Sequence, residues 1–305
     1  MDNRNTATDN ETTNTHLNIT VVGAGIMGSG IATSLLRSGI KTTVWNRTIE
    51  KAEHLAALGA RVEPDPRKAI AGADAIFVVL FDGDSVMGFL ESTHDAARSD
   101  ALWVQTATIG VDATKRVATF AEEKHINLVE TLMMGSKLQA EEGSLILLGG
   151  GEKAYFEKLA PVWHAISKKL VYCGEKVGDG TVVKLACNSW VATITSAAAQ
   201  AIALCQAYGL DAQLFLDSIE GATSDSPYAH IKGEKILTDE FSAQFSLAAV
   251  CKDLGLINQA AETAGVGTAI IDAVESTYQK ALAEGHENED LSSVYFALKS
   301  RKGDH

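Results

Sequence analysis

The chain has 305 residues, 46% of them hydrophobic, which is enough for about two domains with buried cores. Its 26 basic and 39 acidic residues give a formal net charge of −13, and no basic patch offers a surface for nucleic acid or an anionic membrane. No apolar run approaches the ~18–20 residues that span a bilayer, and residues 1–16 contain no apolar signal core. We therefore expect a cytoplasmic protein without nucleic-acid or membrane partners.

Residues 1–16 are rich in Asn, Thr and Asp and predict a disordered tail. After this tail, short β-branched runs alternate with helical patterns, which is typical of a mostly parallel sheet covered on both faces. The predicted strands are residues 18–22, 41–45, 75–80, 102–105, 126–129 and 145–148. Residues 181–208 are Ala-rich and contain no Pro or Gly, which predicts a long helix, and helical patterns continue to residue 298. The fold class is therefore a Rossmann-type parallel-sheet domain followed by an all-α domain, which is entered through a long interdomain helix.

A glycine motif lies directly behind the first predicted strand and ahead of a helix. It reads Gly23-Ala24-Gly25-Ile26-Met27-Gly28 and matches GxGxxG. In such a loop the first glycine permits a tight turn, the second lets the backbone approach a pyrophosphate, and the third allows close packing of helix on strand. The free N–H groups of the helix then bind phosphate. This context indicates a dinucleotide site, although a strand-turn-helix with incidental glycines would also match the motif.

The end of the second predicted strand indicates which dinucleotide is bound. NAD is usually held there by a carboxylate, but this chain has Asn46, Arg47 and Thr48. Arg47 is the only cation that we predict at this place, and a guanidinium pairs well with a 2′-phosphate, which favours NADPH. In the alternative interpretation Arg47 is an exposed helix-entry residue and Thr48 is a helix N-cap.

Lys184 and Asn188 lie four residues apart near the start of the long helix and share one of its faces. Their neighbours are apolar or small, and such an environment lowers the pKa of a lysine towards the range of acid–base catalysis. Composition alone favours a solvated lysine at this position.

Five motifs in order resemble the β-hydroxyacid dehydrogenase family, to which imine reductases are more distant relatives. They are the glycine motif, the segment Ala107-Thr108-Ile109, residues 135–145, Gly178-Asp179-Gly180 followed by Lys184 and Asn188, and Cys251-Lys252-Asp253-Leu254. The resemblance extends from residue 18 to about residue 298.

The resemblance implies roles for particular residues. Lys184 matches the catalytic lysine that protonates the carbonyl oxygen, and Asn188 matches the amide that holds the substrate. Thr108 matches a hydroxyl residue near the nicotinamide, and Lys252 matches a lysine that closes over the cofactor from the helical domain. We also predict that Leu80 contacts the cofactor.

One departure concerns the substrate. The family usually carries Pro-Val-Ser-Gly where this chain has Leu132-Met133-Met134-Gly135, so Met134 replaces the serine that would bind a substrate carboxylate. Ser136, Lys137 and the backbone at Gly135 offer other groups that bind an acid. Alternatively the site accepts a larger, less polar compound, or Met133 and Met134 only fill the core.

These observations predict an NADPH-dependent reductase that converts a small aldehyde or keto compound to the alcohol. An NADP-binding domain is expected at residues 17–178 and an all-helical substrate and dimerisation domain at residues 179–305. An imine reductase and a non-catalytic nucleotide-binding module are the alternatives. The resemblance implies a homodimer.

Cysteine and histidine spacing predicts neither disulfides nor a metal. Cys173, Cys187, Cys205 and Cys251 contain no CxxC pair and are expected to be reduced, buried thiols. The eight histidines form no HExxH or similar pair, so we predict no metal site.

Overall fold

The computed structural model describes residues 17–299, so the predicted tail at residues 1–16 lies outside the described part of the chain. Its N-terminal half contains one sheet of eight strands in the order β3-β2-β1-β4-β5-β6-β7-β8. The strands are β1 (Asn18–Val22), β2 (Lys41–Trp45), β3 (Arg61–Val62), β4 (Ala75–Val78), β5 (Leu102–Gln105), β6 (Asn127–Met134), β7 (Leu145–Gly150) and β8 (Ser167–Gly174). Strands β6 and β7 pair antiparallel, and the other neighbouring strands pair parallel.

The predicted strands are all present, and three of them (residues 18–22, 41–45 and 102–105) have the predicted bounds, but the ends of the other three differ and two strands were missed. Strand β4 ends at Val78 because residues 79 and 80 leave the sheet and line a cavity. Strand β6 continues to Met134, five residues beyond the predicted end, where it pairs with β7. Strand β3 is only two residues long, and β8 carries the exposed Lys168 and Lys169, so neither has an apolar pattern.

Eight helices follow or join these strands. They are α1 (Ile26–Arg37), α2 (Glu53–Ala56), α3 (Pro66–Ile70), α4 (Gly83–Thr93), α5 (Gly110–Glu123), α6 (Lys137–Glu142), α7 (Lys153–Lys158) and α8 (Ala160–Ile166), with short 3₁₀ helices at Ile49–Lys51 and His94–Ala96. Two clusters of buried apolar residues lie in this half, and β4 and β5 are buried along their whole length. The sheet is therefore covered on both faces, as the continuous apolar strands predict.

The C-terminal half is helical within the described residues. It consists of α9 (Asp179–Ala207), α10 (Gln213–Ile219), α11 (Pro227–Leu237), α12 (Leu247–Ala264), α13 (Ala269–Ala283) and a 3₁₀ helix at Leu291–Ala297. These helices surround their own apolar core. The structure thus confirms the predicted fold class, a Rossmann-type domain followed by a helical domain.

Helix α9 connects the two halves, because it contacts β6, β7 and β8 as well as α11, α12 and α13. By length and composition alone its 29 residues are apolar enough to cross a membrane, so the expectation that no segment approaches this length was wrong. In this structure α9 packs against elements of both halves, and 33% of its most apolar 18-residue window is buried. The expectation of four buried thiols was also wrong, since only Cys251 is buried and the other three cysteines are half-buried.

Candidate active site

A cavity of about 740 Å³ lies where the carboxyl ends of β1, β2, β4 and β5 face α9 and α12. In open α/β sheets the ligand binds at this edge, outside the carboxyl ends of the strands. All but four of the predicted site residues line the cavity. The exceptions are Ala24, Met134, Ser136 and Lys137.

The glycine loop has the shape that its motif predicts. Gly23 has a φ of 105°, and a Cβ atom there would lie 2.2 Å from the carbonyl oxygen of Val79. A Cβ atom on Gly28 would lie 1.8 Å from the carbonyl oxygen of Gly23, so α1 can approach the loop closely only with glycine at that position. At Gly25 a Cβ atom would meet nothing within 4 Å, and no side chain caps the N-terminus of α1. The loop therefore presents open space and uncapped N–H groups to a ligand.

Asn46 holds the glycine loop instead of offering a free amide. Its Oδ1 accepts a hydrogen bond from the N–H of Ala24 at 2.9 Å, and its Nδ2 donates to the carbonyl of Thr48 at 2.6 Å. The N–H of Ala24 is thereby occupied, and Ala24, which we predicted to bind the cofactor, does not line the cavity. Thr48 precedes the 3₁₀ helix, but its side chain makes no capping hydrogen bond.

Two cations lie at this end of the cavity. Arg47 is exposed and lines the cavity, and no hydrogen bond or ion pair engages its guanidinium within residues 17–299. Lys51 also lines the cavity. The expectation that Arg47 is the only cation here was wrong, because the 3₁₀ helix at Ile49–Lys51 turns Lys51 towards the same space.

Lys184 lies at the opposite side of the cavity with its ammonium held by β6. Its Nζ donates to the carbonyl of Met133 at 2.7 Å and lies 3.8 Å from Sδ of Met134. Burial lowers the pKa of Lys184 from 10.5 to about 8, although the nearby carboxylate of Asp253 acts in the opposite direction. Lys184 is half-buried, unlike the solvated lysine that composition alone favours. Because its pKa is lowered, it can exchange a proton near neutral pH.

Asn188 and Lys252 are joined through a buried carboxylate that the sequence did not reveal. Asn188 Nδ2 donates to Oδ2 of Asp253 at 2.6 Å, and Lys252 Nζ lies 2.9 Å from Oδ1 of the same group. Lys252 also donates to the carbonyl of Thr108 at 2.6 Å and lies 5.2 Å from the ring centroid of Phe81. Residues of α9 and α12 are thereby tied to the loop that follows β5.

A second buried carboxylate, also missed from the sequence, fixes the start of α9. Glu130 on β6 is fully buried, and its Oε1 accepts from the N–H groups of Gly178 at 2.7 Å and Thr181 at 3.0 Å. Its Oε2 accepts from the hydroxyl of Thr181 at 2.6 Å. Burial raises the pKa of Glu130, while these hydrogen bonds oppose the change. Strand β6 therefore holds both the helix N-terminus and Lys184.

The predicted substrate residues after β6 lie mostly away from the cavity. Gly135 lines it, with a φ of 135°. Ser136 caps α6 and exchanges hydrogen bonds with Gln139, and the exposed Lys137 pairs with Glu141 at 3.8 Å. These local contacts, favoured by the capping-box sequence, keep both side chains from the cavity wall.

Residues 241–246, which we call the 241–246 segment, supply a wall that sequence analysis did not identify. Gln244, Phe245 and Ser246 line the cavity just before α12. No motif marks the segment, because its position depends on contacts with residues more than forty positions away. Among residues 17–299, no group of three or more His, Cys, Asp or Glu side chains is arranged to hold a metal ion.

The cavity fits a dinucleotide. The loop leaves space at Gly25 where a pyrophosphate approaches, the N-terminus of α1 is uncapped, and Arg47 stands free beside β2. Lys184 and Thr108 line the same cavity. Fold and site together define a two-domain, dinucleotide-dependent oxidoreductase.

Comparisons with known proteins give the family. Residues 18–174 match the model of the NAD-binding domain of 6-phosphogluconate dehydrogenase, and residues 178–298 match the NAD-binding domain of NADP-dependent 3-hydroxyisobutyrate dehydrogenase. The chain belongs to the β-hydroxyacid dehydrogenase family, whose members are NAD(P)-dependent oxidoreductases.

Individual relatives agree with this assignment. The chain is 31% identical over 289 residues to glyoxylate/succinic semialdehyde reductase 2 of Arabidopsis thaliana, covering 94% of this chain and 80% of the relative. Its structure matches 3-hydroxyisobutyrate dehydrogenase of Mycobacterium tuberculosis with L-serine at a TM-score of 0.86 and 26% identity, covering 93% and 99% of the two chains. An imine reductase from Myxococcus stipitatus in complex with NADP+ matches at a TM-score of 0.62 and 26% identity, covering 92% and 100%.

Proposed function

We propose that the protein is an NADPH-dependent reductase that converts a small aldehyde or ketone to the alcohol, with Lys184 as the proton donor. The observation that carries this proposal is the half-buried ammonium of Lys184 in the cavity that also contains the glycine loop. Its pKa of about 8 suits a group that gives a proton near neutral pH and recovers it from solvent.

The nicotinamide of the bound cofactor would supply the hydride. Side chains of this protein would bind and orient the substrate and transfer the proton. Lys184 hydrogen-bonds the carbonyl oxygen, stabilises the negative charge that develops there, and transfers its proton from Nζ. Asn188, one turn further along α9, orients the substrate beside Lys184, and Asp253 keeps its amide from rotating. Lys252 joins α12 to the loop after β5 and so holds the two sides of the cavity together.

The preference for NADPH is supported by Arg47 and Lys51. Both line the cavity beside the end of β2, where the family fold places the adenosine ribose, and no carboxylate follows β2 directly. A guanidinium and an ammonium at this place pair with a 2′-phosphate through charge-assisted hydrogen bonds.

The decisive experiment is a screen of NADPH oxidation with glyoxylate, succinic semialdehyde, larger aldehydes and cyclic imines. Carbonyl reduction that depends on Lys184 and proceeds with NADPH is the expected result. Lys169→Met provides the matched control, because Lys169 is an exposed lysine on β8. No oxidation of NADPH or NADH with any carbonyl compound would refute the proposal.

Imine reduction is the second candidate. It is supported by the structural likeness to the imine reductase and by the two methionines, Met133 and Met134, beside Lys184. An iminium substrate arrives already protonated and therefore needs a proton donor less than a carbonyl does. Imine turnover that survives in Lys184→Met, together with absent carbonyl turnover in the parent, would favour this candidate.

We further propose that the protein forms a homodimer through its helical domain. The support is a set of large apolar side chains exposed on α9, namely Val182, Trp190 and Leu204, which are 56%, 64% and 59% exposed in the single chain. Light scattering should give twice the chain mass of 32.3 kDa, and Trp190→Glu should shift the protein towards monomer. A monomeric parent protein would contradict this proposal.

A further inference from the structure

A buried ion pair in the helical domain lies behind one wall of the cavity. Lys232 on α11 donates to both carboxylate oxygens of Asp290, at 2.8 and 3.0 Å, and the two residues are 2% and 0% exposed. The ammonium also lies 5.5 Å from the ring centroid of Tyr228. Apolar residues of similar volume often stabilise a core as well as such a pair does, so stability alone does not account for it.

Asp290 connects this pair to the 241–246 segment. Its Oδ2 accepts hydrogen bonds from the N–H groups of Gln244 at 3.1 Å and Phe245 at 3.4 Å. Its own N–H donates to the carbonyl of Phe241 at 2.8 Å. A single buried residue therefore fixes the segment, at its beginning through its backbone N–H and at Gln244 and Phe245 through its side chain.

The charge on the pair strengthens this attachment. A carboxylate accepts hydrogen bonds more strongly than a neutral amide or hydroxyl, and Lys232 supplies the positive charge that a buried carboxylate needs. Oδ1 of Asp290 also accepts from the N–H and hydroxyl of Ser292, at 3.2 and 2.9 Å, so the carboxylate itself cannot rotate. The pair is thus a rigid anchor for a segment that has no helix or strand of its own.

We propose that Lys232 and Asp290 form a positioning pair that sets the shape of the cavity wall made by the 241–246 segment, and thereby selects the substituent on the carbonyl carbon. Neither residue of the pair lines the cavity, so both act through the backbone of Gln244 and Phe245. The selectivity part of this inference rests on the proposed function. A long or branched substituent presents more surface to this wall than a two-carbon substrate does, and discrimination should grow with substituent size.

Two double variants separate positioning from stability. Lys232→Met with Asp290→Leu removes the charges and the hydrogen-bond acceptor but keeps the buried volume. Lys232→Met with Asp290→Asn removes the charges and keeps one side-chain oxygen, which can accept from the segment as Oδ2 does or from Ser292 as Oδ1 does, but not from both. Val274→Ala is the control for loss of stability, because it removes buried methyl groups from α13.

The first measurement is hydrogen–deuterium exchange of the 241–246 segment, which requires no activity. In the Leu double variant the amides of Gln244 and Phe245 should exchange at least about tenfold faster than in the parent, beyond any change in global unfolding. In Val274→Ala they should stay within about threefold of the parent, and in the Asn double variant, which keeps one acceptor but loses the charge, they should exchange at a rate between those of Val274→Ala and the Leu double variant. Equal exchange in all variants would overturn the proposal.

The second measurement is the ratio of kcat/KM for hexanal to kcat/KM for glyoxylate at saturating NADPH. The Leu double variant should change this ratio at least about tenfold through KM, and the Asn double variant should change it less, whereas a purely structural defect lowers kcat for both substrates equally. An unchanged ratio would overturn the selectivity part. If the parent reduces no carbonyl compound in the screen, the proposed function is refuted, and the exchange measurement alone decides on the positioning pair.

Discussion

Lys184→Met should separate chemistry from cofactor binding. Methionine keeps the length and the apolar stem of lysine, so the space beside β6 stays filled, but the ammonium that lies 2.7 Å from the Met133 carbonyl is removed. If Lys184 is the proton donor, carbonyl reduction should fall by ~10²–10⁴-fold, as is typical when a general acid is lost. The Kd for NADPH should stay within about threefold of the parent value, because the glycine loop is unchanged.

The depressed pKa of Lys184 gives the same prediction a pH dependence. Burial lowers this pKa from 10.5 to about 8, and reduction needs the protonated lysine. The rate of carbonyl reduction should therefore fall as the pH rises through about 8, and the rate of alcohol oxidation should rise over the same range.

The depressed pKa of Lys184 should also make the free energy of unfolding depend on pH. Between about pH 8 and 10.5 the unfolded chain still binds a proton that Lys184 has released in the folded chain. The free energy of unfolding should therefore rise with pH in this window, by about 1.4 kcal/mol per pH unit and about 3 kcal/mol in total. Lys184→Met lacks this contribution, so the variant's stability relative to the parent should decrease as the pH rises.

The assay combines NADPH oxidation with urea unfolding of the parent, Lys184→Met and Lys169→Met at pH 7.5 and at about pH 10. The difference between parent and variant cancels the other titrating groups. Lys169→Met removes a solvated charge and should change neither turnover nor the pH dependence of stability. Carbonyl turnover of Lys184→Met within a few-fold of the parent would refute the proton-donor role, and a stability difference that is independent of pH would refute the depressed pKa.

Four further variants test the rest of the site. Arg47→Asp should erode or invert the preference for NADPH over NADH in kcat/KM, since a charge-assisted contact contributes ~1.5–3 kcal/mol; equal use of both cofactors by the parent would contradict this. Gly28→Ala should destabilise the fold by more than about 2 kcal/mol, whereas Gly25→Ala should leave the melting temperature nearly unchanged and weaken NADPH binding at least about tenfold, as calorimetry can measure. Asp253→Asn should lower kcat/KM by about ten- to a hundredfold because Asn188 loses its charged acceptor; a change confined to melting temperature would disagree.

The fold was predictable because the central strands of the sheet are short, mostly apolar runs of residues. Strands β1, β4 and β5 are buried on both faces and need only their own sequence to be recognised. Strand β8 could not be predicted in this way, since its pairing with β7 decides its conformation while Lys168 and Lys169 remain exposed. The antiparallel direction of β7 likewise follows from tertiary pairing and not from its composition.

The same distinction applies to the site. The glycine loop, Lys184 and Asn188 belong to local motifs, and the structure brings them to one cavity. No role was assigned to Glu130 or Asp253, because the role of an acidic residue inside a strand or helix depends on its hydrogen-bond partners. Thr181 lies 51 positions from Glu130, and Asn188 lies 65 positions from Asp253. Lys51 was missed because it lies four residues after Arg47, and only the 3₁₀ helix at Ile49–Lys51 brings it to the cavity.

Lys184 and Asn188 are held in place by different domains. Strand β6 holds Lys184 through the Met133 carbonyl, so the lysine moves with the Rossmann-type domain. Asn188 lies on the same helix, yet its amide is held by Asp253 on α12. A motion that separates α12 from the loop after β5 would break the 2.6 Å contact between Lys252 and the Thr108 carbonyl and leave the contact of Lys184 intact. The ammonium of Lys184 is therefore positioned independently of α12, whereas the orientation of Asn188 depends on the position of α12.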